Sequence, residues 1–138
     1  MADPTGKFGG KAGESVVLAV GKSGVIGEGL QVSYDGCLSW SVFPGTNFTW
    51  EYPMGSSDGP KIDAHSSGVI VATMGMGEQY YDTFSVWAST DFGKSWTDIA
   101  DVSKGQGVKA TGLYIDEWDP TRVIISSGGR SLARVVLG

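Results

Sequence analysis

The sequence predicts an all-β protein, and three observations carry that expectation: a glycine excess, a recurring β-branched run and a duplicated turn. Glycine fills 22 of 138 positions, more than twice its usual share of about 7%. The glycines separate short runs rich in Val, Ile, Thr and aromatic residues along the whole chain. Glycine inside a helix costs about 1 kcal/mol against alanine, whereas tight hairpins require it. Three apolar runs close on glycine: Val16-Val17-Leu18-Ala19-Val20-Gly21, Ile70-Val71-Ala72-Thr73-Met74-Gly75 and Val123-Ile124-Ile125-Ser126-Ser127-Gly128. Their closing glycines stand 54 and then 53 residues apart. Each run is predicted as a strand. Each is apolar on both faces, so each is expected in mid-sheet with both faces covered.

The duplicated turn is Ser33-Tyr34-Asp35-Gly36-Cys37-Leu38-Ser39-Trp40, repeated 56 residues later as Ser89-Thr90-Asp91-Phe92-Gly93-Lys94-Ser95-Trp96. Strand-like runs flank both copies, so each is predicted to be the corner of a β-hairpin. Aspartate is suited to accept backbone N–H bonds from the residues that follow it. Gly93 permits the positive φ of the reversal, and the tryptophan brings a large apolar area back to the next strand. In the first copy glycine comes one residue early and Cys37 takes the place of Gly93. That corner is expected to be distorted or bulged, with Cys37 buried or neutral within it.

In chain order, residues 1–138 form one domain with three strand groups. Residues 14–43 carry strands near 16–20, 29–33 and 39–43, and the glycine-rich residues 5–10 could add an inner strand. Residues 44–60 are an aromatic-rich loop or arm. Residues 61–100 carry four strands, near 61–64, 69–74, 84–88 and 95–99. Residues 110–138 carry strands near 110–116, 122–127 and 131–137.

The pattern Ser-x-Asp-x-Gly-x-x-Trp, complete at 89–96 and departing at glycine in 33–40, resembles the Asp-box (BNR repeat) of β-propeller proteins. The xyloglucanase-like and sortilin-like groups are the nearest in pattern. The segment from Thr111 through Asp119-Pro120 to Ile125 resembles the inner strand, turn and second strand of such a blade. The resemblance implies propeller-like antiparallel blades of about four strands, with Ser33, Asp35, Trp40, Ser89, Asp91, Gly93 and Trp96 as structural corner residues remote from any ligand. Propellers close with roughly four to eight blades, and about two and a half are counted here. Three resolutions stand: a piece of a longer propeller, a protomer whose copies complete a ring, or a compact sandwich of two or three sheets.

Composition narrows function. Hydrophobic residues make up 41% and charged residues 18%, too apolar for a disordered chain. No run approaches the roughly 20 apolar residues of a membrane span, and no signal-peptide pattern opens the chain; localisation is left undetermined. The net charge of −5 and the pI near 4.6 disfavour nucleic acid, whose binders usually carry a basic patch. One cysteine excludes an intrachain disulfide. A metal site or a hydrolytic triad would rest on the single histidine, His65. No metal and no cofactor is therefore expected.

The candidate contacts lie in two segments. Phe48, Trp50 and Tyr52 alternate beside Glu51 in the 44–60 arm, where ring faces next to a carboxylate suit either a sugar or a packing partner. Glu78, Tyr80, Tyr81 and Asp82 interrupt the second group and form either a ligand loop or a solvated one. Asp116-Glu117-Trp118-Asp119 is simplest as a turn, since paired catalytic carboxylates need a defined separation. His65 is expected at the surface or between strand groups. No catalytic residue is assigned. The leading expectation is a non-enzymatic interaction or structural module that assembles with copies of itself or a larger complex, such as a particle or virion component. The alternative is a carbohydrate-binding or glycoside-hydrolase propeller of the xyloglucan type.

Overall fold

The computed structural model describes residues 1–21, 29–43, 61–75, 84–100, 110–127 and 131–137. These residues form twelve strands and no helix, so the all-β expectation holds. Strands β1 (Ala2–Asp3) and β2 (Glu14–Ser15) pair as a two-stranded sheet. Strands β3 (Val17–Gly21), β4 (Gly29–Ser33) and β5 (Ser41–Val42) form the first antiparallel sheet. The second has four strands in chain order: β6 (Ile62–Ala64), β7 (Ile70–Gly75), β8 (Phe84–Ser89) and β9 (Thr97–Ala100). The third contains β10 (Ala110–Ile115), β11 (Arg122–Ser127) and β12 (Ser131–Val136).

The expected strands therefore form at nearly the expected places, with one exception. Residues 5–10 contribute no inner strand. They are turns, folded around the Asp3 carboxylate, which is fully buried and accepts N–H bonds from Thr5, Gly6 and Phe8 at 3.3, 3.0 and 3.1 Å. A buried carboxylate is stable only when hydrogen bonds replace its water, and the loop supplies those donors.

The three larger sheets stack in layers, with the second in the middle. Leu30, Val32 and Phe43 of the first sheet region pack with Phe8 and Val16 against Ile70 of the second. On the opposite face of the second sheet, Val71, Val86 and Ala88 pack against Leu113, Val123 and Ile125 of the third. Adjacent strand residues point to opposite faces, so Ile70 and Val71 reach different layers, and both are fully buried. The two-sided burial expected for all three apolar runs is thus met by β7. It is not met by β11, where Val123 is buried but its neighbour Ile124 is 37% exposed. A strand in an outer layer has only one covered face.

Candidate functional site

The two corners have the same internal geometry. Ser33 Oγ donates to Asp35 Oδ1 at 2.9 Å, and Ser89 Oγ donates to Asp91 Oδ1 at 2.8 Å. The serine oxygens accept from Cys37 N at 2.9 Å and Gly93 N at 2.8 Å. The aspartates accept from Ser39 N and Ser95 N, both at 2.9 Å, and from the hydroxyls of the same two serines. These donors, the Ser39 and Ser95 hydroxyls first, lower the carboxyl pKa of Asp35 and of Asp91 to about 2, because they stabilise the charged form.

The expected distortion of the first corner is absent. Gly36 and Cys37 have φ of 71° and 72°, matching Phe92 and Gly93 at 62° and 84°. Each corner thus places two successive residues in the left-handed region, and only one of them is glycine. Of the two expectations for Cys37, buried or neutral in the turn, burial is not met: it is exposed. Ser33 and Ser89 are buried, Ser39 and Ser95 are exposed, and Trp40 and Trp96 are half-buried. Trp96 Nε1 donates to Gly93 O at 3.0 Å, and its ring packs on the core between the first two sheets. The serine and aspartate side chains of both corners are taken up by bonds within the corner.

The residues between the corner positions that the two copies share have a second task. Tyr34 OH donates to Phe8 O at 2.7 Å, and Phe92 meets the Phe8 ring edge-on, with centroids 4.9 Å apart. The N-terminal loop is thereby clamped by both corners.

A groove of about 430 Å³ runs beside β6, between the N-terminus and the β10–β11 turn, lined in part by Asp63, His65 and Glu117. Two of its ionisable side chains, Asp63 and His65, are engaged by the fold. Asp63 accepts from Ala64 N at 2.9 Å and, across to the third sheet, from Ile115 N at 2.8 Å. His65 Nδ1 accepts from Ser67 N at 3.0 Å. Nε2 therefore carries the proton and donates to Glu117 O at 3.1 Å. His65 sits between strand groups as expected, joining the β6–β7 turn to the β10–β11 turn. In the latter turn Asp116 Oδ1 accepts from Trp118 N at 2.9 Å and Asp119 N at 3.2 Å, and Trp118 projects 93% exposed. Asp119 is a turn residue, bonded to Thr121 and to Arg122 Nε at 3.1 Å. Among the described residues no group of three or more His, Cys, Asp or Glu side chains is arranged to hold a metal, and no helix is long and apolar enough to cross a membrane.

Phe48, Trp50, Tyr52, Glu78, Tyr80, Tyr81 and Asp82 all lie outside the described residues. The structure instead draws attention to the outer face of the third sheet. Tyr114, Ile124 and Arg134 are successive partners across β10, β11 and β12, and Val136 is paired with Arg122. Tyr114 is 57%, Ile124 37% and Val136 61% exposed. Sequence reading missed this face because it treated β11 as covered on both sides; the alternation of Arg122, Ile124 and Ser126 was a weak sign of an open one. It also missed Asp63, which stands between Ile62 and Ala64 in the short strand β6. In a comparison with known proteins, no family model, curated protein or solved structure matches the chain.

Proposed function

We propose that the chain is a non-enzymatic interaction module of the Asp-box propeller type, whose stacked sheets associate with copies of itself or with a larger complex. Two corners of one geometry and three sheets layered in chain order support the propeller part of this reading. The engagement of Asp63 and His65 by backbone partners supports a structural use of the groove rather than acid–base chemistry, which needs a group free to exchange a proton with substrate. The observation that carries the reading is the outer face of the third sheet: a tyrosine, two β-branched or aliphatic side chains and two arginines on one exposed surface. Tyrosine and arginine are enriched among residues that dominate interface energetics, and contiguous exposed apolar surface marks interaction sites.

Light scattering after size exclusion, over a hundredfold range of concentration, tests the reading. A mass above the monomer's 14.5 kDa is expected. A strictly monomeric chain that instead binds and cleaves xyloglucan-type glucans would replace it with the carbohydrate reading.

A further inference from the structure

The two corners share a geometry but differ in the residue that follows each aspartate, and the difference has a chemical consequence. Asp35 is followed by glycine and Asp91 by phenylalanine. The carboxyl carbon of an aspartate can be attacked by the backbone nitrogen of the next residue, closing a five-membered imide. A side chain on that next residue obstructs the approach, and glycine, which lacks Cβ, leaves it clear. Asp35 and Gly36 are both exposed, and a Cβ built on Gly36 would meet nothing within 4 Å.

The attacking nitrogens are also held differently. Phe92 N donates to Gly68 O at 3.0 Å, and the Phe92 ring is packed against Phe8. Among the described residues no acceptor takes the N–H of Gly36. What restrains the first corner is the carboxylate. Ser33 Oγ and Ser39 N each donate to Asp35 Oδ1 at 2.9 Å, and Ser39 Oγ donates to Oδ2. These bonds, the Ser39 hydroxyl's first among them, fix the group in place and lower its pKa to about 2. Ring closure must expel a carboxyl oxygen as water, and an ionised, bonded carboxylate does so poorly.

We propose that Asp35–Gly36 is a site of spontaneous isoaspartate formation, gated by the bonds that Ser33 and Ser39 make to Asp35. In the opened corner Gly36 N bonds to Asp35 Cγ, and the amide hydrogen leaves with a carboxyl OH as water. A second water then opens the imide. Addition at the former side-chain carbonyl restores aspartate. Addition at the main-chain carbonyl leaves the chain running through Cγ, with a free α-carboxylate. One water leaves and one enters, so the step needs no oxidant, reductant or cofactor. The product has an extra main-chain carbon between residues 35 and 36 and carries its carboxylate on a shorter arm. It cannot accept from Ser39 in the present geometry. The modification therefore holds the corner open and loosens the short β4–β5 pairing of Gln31 with Val42 and Val32 with Ser41. The second corner, whose nitrogen is obstructed and engaged, stays intact. This chemistry is independent of the assembly function.

The test follows isoaspartate in the purified full chain over days in neutral buffer, with and without guanidinium chloride. Methyl transfer from labelled S-adenosylmethionine by an isoaspartyl methyltransferase measures the total, and peptide mapping assigns it to residues. Asp58–Gly59, outside the described residues, is the same dipeptide, so its peptide is scored separately. Isoaspartate at Asp35 should form fastest in the unfolded chain and be slowed in the native one by the fraction of time the corner is open. Ser39→Ala removes one bond to a charged group and should raise the native rate roughly tenfold. Ser95→Ala removes the equivalent bond from the second corner and should leave Asp91 unmodified. Circular dichroism reports the folding of each variant, and the native-against-unfolded comparison of the wild type stands if Ser39→Ala does not fold. An Asp35 that stays unmodified in guanidinium chloride overturns the site. Equal rates in native and unfolded wild type overturn the gate, as does a folded Ser39→Ala with the wild-type rate. Accumulation at Asp91 in Ser95→Ala equal to that at Asp35 in Ser39→Ala overturns the role given to Gly36.

Discussion

Positions 37 and 93 meet one backbone requirement with different residues, and the reason is what stands beside each. Both have a left-handed φ. A Cβ built on Gly93 would lie 2.3 Å from Phe43 Cε1, whereas a Cβ on Gly36 would meet nothing within 4 Å, and Cys37 is exposed. The second corner carries a neighbouring sheet against it, and the first does not. Gly93→Ala must therefore displace an aromatic ring and also accept a disfavoured φ, at a cost of about 2–4 kcal/mol. Cys37→Gly relieves the same φ but adds freedom to the unfolded chain, so its net effect is expected below about 1 kcal/mol. Urea unfolding of the two variants measures the difference, and equal effects would refute this account. The corner aspartates carry a pH signature. Their folded pKa of about 2 lies below the unfolded value of about 3.9. The unfolded chain therefore binds more protons as pH falls between these values, and the stability present above about pH 4 is lost progressively toward pH 2. The urea midpoint should fall through that window. The Asp35→Asn/Asp91→Asn double variant should start lower near neutral pH and fall less, so that the two curves converge in acid.

At the scale of elements, the N-terminal hairpin shows how a segment with almost no strand of its own is held. Strands β1 and β2 have two residues each, too few to be stable alone. Phe8, 1% exposed, anchors the loop between them by packing on Phe92 and by its carbonyl contact with Tyr34. Phe8→Ala is expected to cost about 3–5 kcal/mol and to speed tryptic cleavage after Lys7 and Lys11. Cleavage unchanged at matched stability would show that other contacts hold the loop. The hairpin also marks the limit of sequence reading. The strands β3, β7 and β11 were legible because apolar runs that close on glycine are local signals, and the corners because their bonds span at most four residues. Asp3, Phe8 and Tyr34 were not legible: the Tyr34–Phe8 bond joins residues 26 positions apart, and neither side chain has a periodicity that names its partner. The open face was misread for a related reason. A β-branched run has the same composition in an inner layer and an outer one, and only the presence of a further layer separates Val71 from Ile124. The expected contacts in 44–60 and 78–82 belong to segments outside the described residues, so that part of the site rests on the sequence alone.

At the scale of the whole molecule, apolar contact between the layers is joined by polar ties among the described residues, and Asp63 makes one that can be tested by itself. Its carboxylate sits on β6 and accepts Ile115 N from β10, across 52 residues of chain. Ile115 N–H belongs to the strand next to the groove, so removing its acceptor leaves a part-buried donor to recover a bond from water. Asp63→Ala should cost about 1–3 kcal/mol, the usual penalty of an orphaned partly buried donor. Asp63→Asn, which retains an oxygen acceptor, should cost less. The location of the loss discriminates further than its size. If the layers are separable units, hydrogen exchange in Asp63→Ala should quicken first in peptides covering β10 and β11, while β3 and β4, one layer removed, keep their protection until global unfolding. Uniform loss across all three sheets would mean that the stack opens as a single cooperative body. In that case the interface between the second and third sheets would be no weaker than the sheets themselves. The outer face of the third sheet would then be presented on a rigid platform, and a charge placed on it would act on association without loosening the layers beneath.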